Sequence, residues 1–409
     1  MRTANVTEHR RAFAHRAALA TCGVHACAPA GQSNAISRAS AADRRIASVY
    51  GGMSEPEGGW GRSTRAIHAG IPDPEPGAPF LPGPVLAAPF HLSGPVEGAP
   101  YSGYGRDGNP TWSHLERAIG ELDGGETVVF SSGMAAVAAV VLPRLRPGDV
   151  FVAPRDGYPG IRKLASEQLE PAGVEVRLVP TDTRAIVEAA DGARLVVVET
   201  PCNPALHEAD LDAVRAAVSG LLAVDNTIAT PLGRRPLDHG VDFALVSGTK
   251  ALTGHSDVLL GAVSVRDAER AVELREWRTH TGAILGPFEA WLAHRSLATL
   301  GLRLERSHAN ARALVDVLER RDDVSGVRWP GVGPVLAMVL SSTEHAEQFL
   351  GACRLVRQAT SFGGVHSTAE RRGRWGTDDV PDGFIRFSVG CEDAADLVAD
   401  VVQALDAAA

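Results

Sequence analysis

Lys250 is distinctive because this chain uses lysine so rarely. Only Lys163 and Lys250 are lysines among its 40 lysine and arginine residues. A lysine amine can lose its proton and attack a carbonyl carbon, whereas a guanidinium stays charged. Lys163 lies in the amphipathic stretch IRKLASEQLE, which is typical of a solvated helix face, but Lys250 lies in the nearly uncharged segment LVSGTKALTGHSD. The sequence therefore predicts a chemical role for the amine of Lys250.

Other polar residues follow apolar segments that read as β-strands. VVF is followed by residues 131–134 and then by a helical pattern, LLAV ends at Asp225, RLVVVE runs into residues 200–204, and FALVS leads to Lys250. Ligands of open parallel sheets bind at the carboxyl ends of the strands. A helix that begins there offers free N–H groups to a phosphate. A phosphate cradle, a buried carboxylate and a lysine are therefore expected at one sheet edge.

The elements that position these residues alternate between strands and helices, which predicts an α/β fold with a mainly parallel sheet sandwiched by helices. The predicted strands are ETVVF, DVFVAP, VEVRLVP, RLVVVET, LLAVDN and FALVSG, with helices such as MAAVAAVVLPRL and DLDAVRAAVSG between them. A long helical stretch, residues 287–320, leads into a smaller α+β domain with predicted strands VRWP, VLAMVLSS, RQATSF and FIRFSV. At 409 residues the chain is long enough for two domains. We predict a large domain over residues 111–305 and a C-terminal domain over residues 306–409.

The first 110 residues lack this alternation. Residues 1–52 are rich in arginine and contain only Glu8 and Asp43 as acids, so we expect a disordered extension; a transit peptide or a true start at Met53 are the alternatives. Residues 53–110 are rich in glycine and proline. They predict an arm that is ordered only against a partner subunit.

Composition excludes several classes of protein. The net charge of −9 argues against nucleic-acid binding, and no run of about 18 apolar residues predicts a membrane helix. The five cysteines are scattered without a CxxC pair, so we expect reduced thiols in a cytoplasm, with neither a disulfide framework nor a metal site. Cys22, His25 and Cys27 lie close together, but no fourth ligand is near.

A GxGxxG pattern occurs at residues 103–108. In dinucleotide-binding proteins this pattern follows a strand and opens a helix. Here EGAPYS precedes it and Asn109 and Pro110 follow it, so it does not predict a dinucleotide site.

Seven segments in order resemble one enzyme family: YGRDGNPTW, SSGMAA, ETPCNP, DNTIATP, SGTKALTGHSD, TSFGG and IRFSVG. They are similar to those of the Cys/Met-metabolism enzymes that depend on pyridoxal 5'-phosphate (PLP). The resemblance runs from about Ser63 to the C-terminus. It implies fold type I of PLP enzymes, PLP as cofactor, an amino acid as substrate, and a homotetramer built from two dimers.

The resemblance assigns a role to each candidate residue. Lys250 is similar to the lysine that bonds to the cofactor, and Asp225 to the carboxylate that pairs with the pyridine nitrogen. Tyr158 resembles the tyrosine stacked on the pyridine ring and is a candidate acid for the leaving sulfur. The other residues fall into three groups: Gly133, Met134, Ser247 and Thr249 in the phosphate cradle; Tyr104 and Arg106, which reach the phosphate of the neighbouring subunit; and Asn203, Ser361 and Arg386, which hold the substrate α-carboxylate.

The implied activity is that of a cystathionine γ-lyase, since the RDGNPT string favours the γ-acting enzymes over the β-lyases. Cystathionine γ-synthase, cystathionine β-lyase and methionine γ-lyase are the alternatives. Three departures bear on them: the first argues against methionine γ-lyase, the second against strict specificity for cystathionine, and the third leaves β-elimination open. Gly160 replaces a cysteine of methionine γ-lyases, Thr360 replaces a glutamate of some γ-lyases, and Phe362 stands where γ-enzymes often have leucine and β-lyases tryptophan. A non-catalytic homologue is disfavoured because both Lys250 and Asp225 are present.

We expect a chain that begins at Met53 to fold, bind PLP and turn over substrate like the full chain, because the resemblance begins after that residue. Size-exclusion chromatography and the visible absorption of the bound cofactor check this. Loss of assembly or of cofactor in the shortened chain would show that residues 1–52 belong to the working enzyme.

Overall fold

The computed structural model describes residues 60–92 and 103–409. The predicted extension over residues 1–52 lies outside the described residues, as do Cys22, His25, Cys27 and part of the arm. In the described part of the chain, no helix has the length and apolar character needed to span a membrane.

A seven-stranded sheet forms the centre of the larger part of the structure. Its strands are β1 (Glu126–Phe130), β2 (Val150–Pro154), β3 (Glu175–Val179), β4 (Leu195–Glu199), β5 (Leu221–Asp225), β6 (Phe243–Ser247) and β7 (Gly261–Val265), in the order β1-β7-β6-β5-β4-β2-β3. Strands β2 to β6 pair in parallel, whereas β7 pairs antiparallel with both β1 and β6. The predicted mainly parallel α/β sheet is therefore confirmed.

Helices cover both faces of this sheet because successive strand residues alternate between two cores. Val128 and Phe130 pack in the core that contains α3 and α8, whereas Val129, between them, packs with α2. Such two-sided burial explains why the strands are continuous apolar runs. The helices before residue 300 are α1 (Arg62–His68), α2 (Pro110–Asp123), α3 (Gly133–Val141), α4 (Pro159–Leu164), α5 (Thr183–Ala189), α6 (Leu211–Ala217), α7 (Thr230–Gly233), α8 (Ala268–Thr281) and α9 (Pro287–Leu297).

A second sheet of five strands follows in the chain. Its strands are β8 (Ser325–Arg328), β9 (Val335–Val339), β10 (Arg357–Gln358), β11 (Thr368–Arg371) and β12 (Phe384–Ser388), in the order β10-β11-β12-β9-β8. One apolar core joins this sheet to the helices α10 (Leu300–Leu318), α11 (Thr343–Ala352) and α12 (Ala394–Ala408). The boundary near residue 305 stays a prediction.

Three elements differ from the sequence prediction. The sequence does not predict β7, which begins with glycine and includes Ser264, or β11, which carries Glu370 and Arg371. The helical stretch over residues 287–320 is two helices, which are separated at Ala298 and Thr299. The Thr299 hydroxyl donates to the Ser296 carbonyl, so a side chain satisfies one of the last carbonyl groups of α9.

Candidate active site

The N-terminus of α3 and the end of β6 form a small polar cradle. The Ser132 hydroxyl caps α3 by accepting the N–H of Ala135 at 3.1 Å. Among the described residues, the N–H groups of Gly133 and Met134 have no hydrogen-bond acceptor, and both residues line a cavity of about 340 Å³. A Cβ atom on Gly133 would lie 2.9 Å from both Cβ and Oγ of Ser247, so only glycine allows this approach. The cradle offers free N–H groups and a helix dipole to an anion.

Lys250 extends into the same cavity from the turn after β6. Its Nζ donates to Oγ of Ser361 at 2.7 Å and lies 5.2 Å from the ring centroid of Phe362. Burial lowers the pKa of the amine to about 8, with a further lowering from the charge of Arg386 and an opposing effect of Glu370. A substantial fraction of the amine is therefore neutral and nucleophilic near neutral pH.

Asp225 lies at the carboxyl end of β5 and lines the cavity. Its Oδ1 accepts the N–H of Thr227 at 3.0 Å and the hydroxyl of Thr227 at 2.5 Å. Burial raises the pKa of this carboxyl group, while the bonds from Thr227 lower it. In the described part of the chain no lysine, arginine or histidine forms an ion pair with Asp225, so the carboxylate can accept a cationic partner from a ligand.

Glu199 lies beside Asp225 because the parallel pairing of β4 with β5 aligns these two residues. Burial, followed by the negative charge of Asp225, raises the pKa of Glu199 well above its usual value. Its Oε2 accepts the N–H of Tyr158 at 2.5 Å, and its Oε1 accepts the N–H of Asn203 at 2.8 Å. One buried carboxyl group thus fixes the backbone of both Tyr158 and Asn203. Sequence reasoning missed it, although a single acid ending an all-apolar strand was a usable signal.

Arg386 is a buried guanidinium on β12 whose donors converge on the cavity. Nη1 donates to Oδ1 of Asn203 at 2.6 Å, and Nη2 donates to the carbonyl of Ser361 at 3.0 Å. Nη2 also bonds Oε1 of Glu370, which lies directly opposite Arg386 in the antiparallel pairing of β11 with β12. Burial lowers the pKa of Arg386 to about 10, so it keeps its charge at neutral pH. The arrangement suits a planar carboxylate ligand.

Glu370 belongs to a wider charged network that the sequence did not predict. Nη1 of Arg372 donates to Oε1 of Glu370 at 2.9 Å, and Nε1 of Trp375 donates to Oε2 at 3.0 Å. Arg372 also donates through Nε and Nη2 to Asp378 at 2.9 Å and 2.5 Å, and it lines the cavity. No sequence signal marked these residues, since they follow a strand that was not predicted.

The cavity brings together every predicted site residue except two. It is lined by Gly133, Met134, Tyr158, Asn203, Asp225, Ser247, Thr249, Lys250, Ser361 and Arg386. The hydroxyl of Thr249 already bonds the backbone of Leu260, accepting its N–H at 3.0 Å and donating to its carbonyl at 3.3 Å. Tyr158 is 43% exposed, so the open side of the cavity can admit a ligand beside its ring.

Tyr104 and Arg106 do not line this cavity. Tyr104 is 50% exposed, and the guanidinium of Arg106 lies 5.6 Å from the centre of the Tyr104 ring. Because Tyr104 and Arg106 lie away from the cavity of their own chain, they are in a position to contribute to the cavity of another chain.

Gly160 and Thr360, two positions singled out in the sequence, have close neighbours in the structure. A Cβ atom on Gly160 would lie 2.5 Å from Cε1 of Tyr158 and 2.8 Å from Sδ of Met134. No side chain fits there unless the Tyr158 ring moves. Oγ1 of Thr360 lies 3.5 Å from Oε1 of Glu370. The carboxylate of Glu370 already accepts hydrogen bonds from Arg386, Arg372 and Trp375.

Residues 87–406 match the family of Cys/Met metabolism PLP-dependent enzymes. The chain is 53% identical over 370 residues to a Streptomyces coelicolor protein named "Putative cystathionine gamma-lyase", covering 85% of this chain and 94% of that protein. It is 37% identical over 337 residues to the cystathionine gamma-lyase of Bacillus subtilis, covering 74% and 88% of the two chains. The crystal structure of cystathionine gamma synthase from Xanthomonas oryzae pv. oryzae in complex with cystathionine is similar with a TM-score of 0.80 and 33% identity, covering 85% and 98%.

The chain therefore belongs to the Cys/Met metabolism family of PLP-dependent enzymes. This membership confirms the resemblance, the fold class and the cofactor that the sequence predicted.

The residues of the cavity fit that cofactor chemically. The carboxylate of Asp225, which has no cationic partner among the described residues, suits a protonated pyridine nitrogen. The free N–H groups at the start of α3 suit a phosphate, and the amine of Lys250, whose pKa is lowered, suits an aldehyde. These assignments for individual residues are proposals that rest on this fit.

We expect the rate at which cofactor-free enzyme captures PLP to rise with pH through about 8, because only the neutral amine of Lys250 attacks the aldehyde. An ordinary lysine would give a midpoint near 10.4. The Glu370→Gln substitution removes a charge that raises this pKa, so its midpoint moves lower. Stopped-flow absorbance against pH gives both midpoints.

The matched control is Glu347→Gln, which removes an exposed carboxylate paired with Arg371, next to Arg372 in the chain. It should leave the midpoint unchanged. A wild-type midpoint near the ordinary lysine value, or equal shifts in the two variants, would contradict the electrostatic account of Lys250.

Proposed function

We propose that the protein is a cystathionine γ-lyase-like enzyme, which converts cystathionine and water into cysteine, 2-oxobutyrate and ammonia by α,γ-elimination. The observation that carries the proposal is the bond from Lys250 to Ser361, whose carbonyl is held in turn by Arg386. It supports the proposal because the amine of Lys250 would then act as a base beside the expected carboxylate anchor. The two γ-lyase relatives from Streptomyces coelicolor and Bacillus subtilis support the same activity.

When bound, PLP supplies an aldehyde for an amine and a ring that accepts the electrons released at the substrate Cα. Asn203, Ser361 and Arg386 would hold the α-carboxylate, because Arg386 reaches the other two and its guanidinium matches a planar ligand. Lys250 would then remove the proton at Cα. Its lowered pKa suits an amine that accepts and returns protons near neutral pH.

Elimination at Cγ also needs a second proton removed, from Cβ, and a proton for the departing sulfur. Lys250 would move the Cβ proton, since its flexible side chain is the one amine that lines the cavity in the described part of the chain. Tyr158 would donate a proton to the sulfur. Glu199 accepts the backbone N–H of Tyr158, and the partly exposed side chain of Tyr158 lines the cavity.

Two alternatives use the same residues. A cystathionine γ-synthase would use them for γ-replacement, in which a thiol replaces the leaving group of an activated homoserine, and the Xanthomonas oryzae synthase is a structural relative. A β-lyase would expel the thiolate from Cβ instead of Cγ. Phe362, which stands where γ-enzymes often have leucine, leaves this reaction open. Methionine γ-lyase is less favoured, because Gly160 stands where those enzymes carry a cysteine.

We expect the holoenzyme to release 2-oxobutyrate from cystathionine, since Lys250 can serve both Cα and Cβ. Pyruvate would instead indicate β-elimination. Mass spectrometry of the derivatised keto acid distinguishes the two.

Lys250→Ala should abolish turnover without unfolding the protein, whereas Lys163→Ala, which changes an exposed lysine paired with Glu167, should leave turnover unchanged.

We also propose a homotetramer of two dimers in the cytoplasm, with amino-acid substrates and no nucleic-acid or membrane partner. Cys202, Cys353 and Cys391 are free thiols, which is compatible with a reducing compartment. The exposed positions of Tyr104 and Arg106 support a site shared between subunits, in which each chain supplies this pair to the cofactor phosphate of its neighbour.

A shared site predicts complementation between two inactive variants. Mixing Arg106→Ala with Lys250→Ala and allowing subunits to exchange should give hybrid dimers with one doubly defective and one intact site. Activity should return to about half of normal per hybrid dimer, by two-fold symmetry. If native mass spectrometry shows exchange and activity stays absent, Arg106 serves the site of its own chain.

A further inference from the structure

Three metal-ligating side chains meet near the cavity, outside the residues assigned to cofactor or substrate. Asp156 follows β2, and Cys202 and His207 follow β4; β2 and β4 are neighbours in the sheet. One ligand atom of each residue lies within 4.8 Å of the others. Oδ2 of Asp156 is 2.9 Å from Nδ1 of His207 and 3.8 Å from Sγ of Cys202.

The two separations from Asp156 are close to those of a tetrahedral metal site. Ligand atoms at 2.0–2.3 Å from a zinc ion at tetrahedral angles lie about 3.3–3.8 Å apart. The Asp156–His207 pair would have to open by a few tenths of an ångström, which the partly exposed His207 side chain permits. Three protein ligands of different types leave the fourth position to water or an external ligand.

The surroundings hold the three ligands in place. The N–H of Cys202 donates to the carbonyl of His207 at 2.9 Å, and the N–H of Leu206 donates to the carbonyl of Cys202 at 2.8 Å, so the loop between the two ligands is closed. The other oxygen of Asp156, Oδ1, accepts both the N–H and the hydroxyl of Thr181 at 2.8 Å. Support of this kind behind a ligating carboxylate is a common feature of metal sites.

The thiol restricts the kind of cation. Cys202 is fully buried, and its Sγ lies beside the carboxylate of Asp156. Only a cation that binds sulfur strongly compensates for ionising such a thiol. Magnesium and calcium prefer oxygen ligands, whereas zinc accepts sulfur, nitrogen and oxygen together.

We propose that Asp156, Cys202 and His207 bind a thiophilic divalent cation of the zinc type. Asp156 is two residues before Tyr158, and Cys202 is directly before Asn203. A bound ion would therefore tie together the two segments that carry a proposed ring-stacking residue and a proposed carboxylate ligand. The site does not depend on which sulfur amino acid the enzyme uses.

The test is titration of chelator-treated holoenzyme with cobalt(II), which reports tetrahedral sulfur ligation by visible bands to the red of the cofactor absorption. We expect one ion per chain, displaced by zinc. Cys202→Ser and His207→Gln should each weaken binding by more than about tenfold, since loss of even supporting contacts has effects of about that size. Cys353→Ser changes a thiol on another element, at the end of α11, and should bind normally.

His207 is 44% exposed at its side chain, so His207→Gln is expected to fold and keep its cofactor even if Cys202→Ser does not. Absence of a stoichiometric tetrahedral spectrum in the wild type would overturn the proposal. So would an unchanged spectrum in His207→Gln, which would place the bound ion elsewhere, for example at the cofactor, and leave Asp156 and His207 as a simple hydrogen-bonded pair.

Discussion

The active site depends on the buried guanidinium of Arg386, because its hydrogen bonds connect the two sheets. It lies on β12 of the five-stranded sheet and reaches Asn203, which follows β4 of the seven-stranded sheet. A buried charge is tolerated only when it is paired, and removing one partner of such a pair costs about 3–5 kcal/mol. Glu370 supplies the compensating charge from the strand next to β12.

The same constraint sets the reactivity of Lys250. Its amine lies close enough to Arg386 for the positive charge to oppose protonation, and burial acts in the same direction. Ser361 connects the two groups by accepting the amine through its hydroxyl and Arg386 through its carbonyl. Ser361 has a φ of +75°, an unfavourable conformation for a residue with a side chain, which this pair of bonds stabilises.

On the other side of the cavity, two neighbouring carboxyl groups are buried without an ion-pair partner among the described residues. Asp225 and Glu199 end adjacent parallel strands, and burial raises the pKa of both. Glu199 is stabilised by backbone N–H groups of two other segments, and Asp225 by Thr227. A protonated pyridine nitrogen would supply a positive partner, so cofactor binding and the electrostatics of the strand ends are mutually dependent. Asp156 extends the same acidic region towards Cys202 and His207.

The sequence by itself determined the α/β class, six of the seven strands of the large sheet, and the position of a lysine and a carboxylate after two of those strands. These follow from local patterns: apolar runs, polar residues directly after them, and a lysine in an arginine-biased chain. The tertiary structure decided the rest. Strand β11 could not be predicted because its buried residue Glu370 is charged, and one of its charge partners, Arg386, is 16 residues away. The position of Glu199 beside Asp225 depends on the pairing of β4 with β5. The spacing of the cysteines in the sequence could not show that Cys202 lies next to Asp156, which follows the neighbouring strand. Local patterns report burial along one segment, whereas charge pairing and metal ligation depend on distances between segments.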